Sequence, residues 1–156
     1  MADESIAADL QAAFEDLFHT LWDGAEPDVL ISDGHPGRID ADDAVALMGV
    51  SQEEVPGPIS ATRRVREETL TVTVVISCYR VGGQDQQRIV DARALKLLGD
   101  LSNHLRKTDP TLGGLCVWCF RTSFDLEKSA DPAVLTDGRL TEINAKFTAV
   151  ARIRTS

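Results

Sequence analysis

The chain is poor in the residues that would announce its chemistry. Of 156 residues, three are Cys, three are His, two are Trp and one is Tyr. Three Cys is a small and odd number, which argues against a disulfide framework. No uninterrupted apolar run approaches the ~18 residues that a membrane-spanning helix needs. The opening MADESIAADL is acidic where a secretory leader has a basic segment followed by an apolar one. A soluble, intracellularly made protein without a membrane partner is therefore expected. Bases are scarce in the first third: residues 1–58 hold 14 acids and a single base, Arg38, a net of −13. Residues 59–156 hold 11 acids and 15 bases, a net of +4. The total of −9 disfavours generic nucleic-acid binding, because phosphate contacts need concentrated Lys and Arg. The split suggests a polarised molecule whose acidic part meets a basic part of a neighbouring copy.

With 43% hydrophobic and 26% charged residues, the chain has the composition of a globular protein rather than a disordered one. Its length suits one domain over residues 1–156. Residues 5–22 predict an amphipathic helix, with Ile6, Leu10, Phe14, Leu17, Phe18 and Leu21 on one stripe and Ser5 as N-cap. Two short apolar runs follow, 29–31 and 44–50, separated by the turn signal Asp33-Gly34-His35-Pro36-Gly37. The polar segment 51–68, which contains Pro56, Gly57 and Pro58, has no period of its own and predicts a surface arm. Strict alternation over 69–79 predicts a strand with Leu70, Val72, Val74, Ile76 and Cys78 on one face. A second amphipathic helix is expected over 85–107, carried by Val90, Ala94, Leu97, Leu98, Leu101 and Leu105. Two strands at 115–126 and 140–154 should pair as an antiparallel hairpin, the first with Cys116, Trp118, Phe120, Phe124 and Leu126 on one face. The fold class is thus α+β: a mainly antiparallel sheet packed against two amphipathic helices.

Candidate chemistry is thin. Cys116-Val117-Trp118-Cys119 has redox or zinc-like spacing, but it lies in a strand pattern, where i and i+3 point to opposite faces. It has no second ligand pair. One buried cysteine and one on the opposite face are expected. His19, His35 and His104 form no metal-binding pair, and Asp33 with His35 is first of all a turn. Asp40, Asp42 and Asp43 lack the Gly and terminal Glu of a calcium loop and predict a solvated acidic turn. No catalytic residue, metal or cofactor is assigned. Arg63, Arg64 and Arg66 of the arm, beside Glu67 and Glu68, suit an acidic protein surface better than nucleic acid. These three arginines and Asp40, Asp42 and Asp43 are the candidate interface residues.

The order of these signals resembles the tail-terminator, or head–tail joining, proteins of long-tailed phages, especially those of actinobacterial hosts. The resemblance runs through Val29-Leu30-Ile31-Ser32-Asp33-Gly34-His35-Pro36 and Ala44-Val45-Ala46-Leu47-Met48-Gly49. It continues in the long strand with its Gly82-Gly83 turn, the Ala-rich helix, Asp109-Pro110-Thr111-Leu112-Gly113-Gly114, and the final Ala151-Arg152-Ile153. It implies a structural virion protein that closes as a ring, usually a homohexamer, on the head-proximal end of the tail tube. That ring ends tube polymerisation and offers the joining surface for the head. The implied partners are other copies of the chain, the tail tube protein and the head connector or stopper, with genomic DNA passing through the lumen without specific binding. Another neck component, a tube-like subunit, or a small cytosolic enzyme using Asp33/His35 or Cys116/Cys119 are the alternatives.

Overall fold

The computed structural model describes residues 5–35, 42–55 and 65–154. Helix α1 (Ala7–Trp22) is followed by strands β1 (Val29–Asp33), β2 (Asp43–Val55) and β3 (Val65–Val81). Next come helix α2 (Asp85–Asn103), a π-helical turn at His104–Thr108, strand β4 (Trp118–Lys128), the short helix α3 (Pro132–Asp137) and strand β5 (Gly138–Arg154). The strands form one sheet in the order β1-β2-β3-β5-β4. Only the β1–β2 pair is parallel; the other three are antiparallel. The class is α+β, as the alternating and helical periods imply.

Both long helices cover the same face of the sheet. Leu10, Phe14, Leu17, Phe18 and Trp22 of α1 and Val90, Ala94, Leu97, Leu98 and Leu101 of α2 are buried. They pack on Val45, Leu47, Val72, Val74, Ile76, Ile143, Ala145, Phe147 and Ala149 from three strands. Phe14 meets Phe147 edge-to-face at 5.6 Å between ring centroids, a favoured aromatic geometry. Leu105 is also fully buried, although the α-helix has given way to the π-helical turn there.

The start of α1 is anchored from a distance. The N-cap position is Ile6 rather than the expected Ser5; Ser5, one residue earlier, still accepts from the Ala7 N–H through its Oγ at 3.0 Å. Glu68 of β3, fully buried, accepts from the Ile6 N–H at 2.7 Å and from the Ser5 hydroxyl at 3.2 Å. Its second oxygen accepts from the Gln52 amide. A carboxylate withdrawn from water needs such donors, and these tie the helix to β2 and β3.

Three sequence-based expectations change. The arm predicted over 51–68 is shorter, because residues 51–55 extend β2 and 65–68 extend β3 in one antiparallel ladder ending at Val55↔Glu67. The connection, 56–64, lies outside the described residues. The single face proposed for the 115–126 strand is split by a bulge between Arg121 and Ser123. An extra residue in one strand inverts the in–out alternation beyond it. Cys119 therefore faces the helices with Ala149, whereas Trp118 and Phe120 face away with Val150 and Thr148. Beyond the bulge, Phe124 and Leu126 return to the helix side opposite Ala145 and Ile143. Finally, the loop expected around 131–138 contains α3, capped by Asp131 accepting from the Ala133 N–H at 3.0 Å. It hands over to β5 at Gly138, where an added Cβ would lie 2.4 Å from the Arg80 carbonyl oxygen.

Candidate interaction surface

Of the six proposed interface residues, Asp43 is the best defined, and it is not at the surface. It opens β2 on the helix-facing side and is fully buried. Arg80, from the end of β3, grips both of its oxygens, with Nη1 donating to Oδ1 at 2.7 Å and Nη2 to Oδ2 at 3.1 Å. Arg93 of α2 donates from Nε to Oδ2 at 3.0 Å, and from Nη2 to the Pro27 carbonyl at 2.9 Å. Burial alone would raise the Asp43 pKa; the two guanidiniums outweigh it and hold the carboxyl below its ordinary 3.8. The same contact raises the pKa of Arg80. This trio joins the loop before β1, two strands and α2, so Asp43 organises the fold rather than meeting a partner. Of the expected solvated turn, Asp42 is exposed, and its carbonyl accepts from the Tyr79 N–H at 2.7 Å. Asp40, Arg63 and Arg64 lie outside the described residues. Arg66 belongs to β3 opposite Ile153, its side chain likewise outside.

The cysteine pair also departs from expectation. Cys116 sits in the turn before β4 and Cys119 within it, and both are buried. Burial pushes the Cys116 thiol up to about 11 and the Cys119 thiol up to about 12. A reactive cysteine needs the opposite shift. Among the described residues no group of three or more His, Cys, Asp or Glu is placed to hold a metal ion, and no helix is long and apolar enough to cross a membrane. The Asp33-Gly34 turn is present, with Gly34 at φ +80° and its N–H donating to the Leu47 carbonyl.

What the fold does present is the second face of the sheet, which no described helix covers. Near the β1 end it holds a depression of about 350 Å³, floored by Ala44, Ala46 and Val75 and rimmed by His35, Glu142 and Asn144. Towards the other end runs a polar ladder. Lys146 Nζ donates to Thr73 Oγ1 at 2.8 Å, and the Thr122 and Thr148 hydroxyls lie 3.2 Å apart. Trp118 stacks on Phe120 at 4.4 Å. By the ladder register, Glu53, Glu67, Asp125, Glu127 and Glu142 also point to this face, against Lys146 and Arg152; all seven are exposed. Sequence reading missed the face because it treated each strand alone. The alternation of Thr69, Thr71 and Thr73 against the buried Leu70, Val72 and Val74 was its available signal.

Among the described residues, both sheet edges are also incompletely covered. β1 pairs only with residues 43–47 of β2, where a bulge at Met48 interrupts the register. β4 is the terminal strand at the other edge, and near it Val117, Phe120 and Phe124 are exposed. No protein-family model matches the chain, and no curated protein matches its sequence.

Proposed function

We propose that the chain is a structural, non-enzymatic subunit of a phage virion that assembles as a ring, usually of six copies, on the head-proximal end of the tail tube. There it ends tube polymerisation and forms the surface on which the filled head docks. It would be assembled in the host cytoplasm and reside in the tail or neck of the virion. The resemblance in motif order brings this reading forward, and one observation carries it. A sheet covered by helices on one side offers, on the other, a broad face rich in hydroxyls and carboxylates. Among the side chains described on that face, five acids stand against two bases, which would let DNA pass without sticking, since retention requires clustered cations. Heterologous contacts around a rotation axis close into a ring, and the unequal charge of the two parts of the chain favours unlike patches meeting.

The deciding experiment mixes the purified chain with tail tubes and images them by electron microscopy. A terminator decorates one tube end and halts growth. Decoration of neither end would overturn the reading. Polymerisation into tubes would support the tube-like alternative, which the open strand edges favour.

A further inference from the structure

The two edges of the sheet that no described residue pairs with are matched in level, direction and chemistry. Through the ladder, Gly49 of β2 lines up with Thr73, Lys146 and Ser123, and Ser51 with Thr71, Thr148 and Phe120. The stretch of β2 left bare by β1, residues 48–55, therefore stands level with the first half of β4. β2 runs parallel to β5 and antiparallel to β4, so an adjacent copy in the same orientation would set β4 antiparallel against the bare part of β2. The loop before β4 takes only its start, where the Cys119 N–H donates to the Pro110 carbonyl at 2.7 Å. From Phe120 onward no further described strand lies against it.

The side chains agree with that pairing on both faces. Phe120 is exposed on the outer face of β4, and Arg121, level with Val50, lies on the helix side. β2 offers Met48, also exposed, at the outer depression, and Val50 opposite Val72 on the helix side. Residues 48–55 contain two acids and no base, whereas 118–123 contain one base, Arg121, and no acid. The acids of β4, Asp125 and Glu127, lie at the level of the part of β2 that β1 already covers. Sheet edges are normally blunted by charges, bulges or short strands; here the charges on the two level halves are of opposite sign, Glu53 and Glu54 on β2 against Arg121 on β4.

We infer that residues 48–55 of β2 are the seat for the 120–123 edge of β4 of a second copy, continuing the sheet from subunit to subunit. This rests on the ring reading above and names the contact that would close it. Edge pairing satisfies backbone donors and acceptors that otherwise face solvent, and closure leaves no edge open.

The test is cross-linking of the full chain carrying Ser51→Cys and Ser123→Cys, both exposed outer-face positions. The three native thiols are buried and stay silent. With a short bismaleimide, the double variant should yield a ladder at multiples of 17.0 kDa, while either single variant alone stays at the monomer position. Phe120→Asp should weaken assembly by roughly tenfold or more, as loss of an apolar anchor does, without shifting the melting temperature. Rings visible by microscopy without a ladder would overturn this contact and leave the ring reading standing. Dimers from a single variant would also overturn it, in favour of like-edge pairing. A chain that native mass spectrometry finds monomeric, both alone and after mixing with tubes, overturns both. A ladder without tube capping supports the contact and removes only the tail-end role.

Discussion

The two faces of the sheet share strands but obey different rules. On the helix side, Val72, Val74, Ile76, Ala145 and Phe147 are fully buried and fixed by packing. On the outer side, their immediate neighbours Thr71, Thr73, Val75, Asn144 and Lys146 are half-buried or exposed. The 3.3 Å step from one residue to the next along a strand thus separates residues that hold the fold from residues that are free to serve another purpose. Substitutions should divide the same way: stability falls on one face and association on the other.

The largest effect belongs to the centre of the covered face. Phe147→Ala should cost about 3–5 kcal/mol, as truncation of a fully buried aromatic does, because both α1 and β3 lose their contact with it. Chemical denaturation would show this as a lower midpoint; an unchanged midpoint would mean that the helices do not seat on β5. Next comes the ion trio at the bottom of that face. Asp43→Asn should cost about 3 kcal/mol at pH 7 by leaving Arg80 and Arg93 without their counter-charge. Because the Asp43 pKa is lowered on folding, its contribution is present above the ordinary 3.8 and is lost as the pH falls through the lower folded value. The stability gap between wild type and variant should therefore narrow in acid below about pH 4. A gap that held constant to pH 2 would refute the pairing.

How much of this could be read from the chain depended on how far apart the deciding residues lie. Periods of 3.6 and 2 depend on near neighbours, so α1, α2, β3 and β5 were recognisable, with ends shifted by a few residues. The β4 faces were not, because one additional residue near Thr122 reverses the alternation, and no local signal in Phe120-Arg121-Thr122-Ser123-Phe124 marks it. Asp43 read as a solvated turn because its partners, Arg80 and Arg93, lie 37 and 50 residues away. Glu68 read as part of an arm because the helix start it caps is 62 residues away. Proline and glycine at 56–58 lie outside the described residues and say nothing of where β2 stops. The alternation over 69–79 places Thr69, Thr71 and Thr73 on the other side of the strand but carries no information that no described helix covers it.

On the open face, stability should hardly respond. Phe120→Ala should change unfolding free energy by less than about 0.5 kcal/mol, as surface substitutions commonly do. A loss of 2 kcal/mol would place Phe120 in the core and remove it from the edge contact.

The smallest effect on folding carries the sharpest consequence for the lumen reading. Asp125→Lys together with Glu142→Lys turns the five acids and two bases described on that face into three acids and four bases. Both side chains are exposed, so the melting temperature should stay put. Duplex DNA should not bind the wild-type chain, but it should bind the double variant weakly at 50 mM salt and release it by 200 mM, since such affinity comes from counterion release. Wild-type binding that survives at 200 mM salt would mean the face holds DNA instead of letting it pass. The acids would then need a different explanation, as a seat for the basic part of a neighbouring copy.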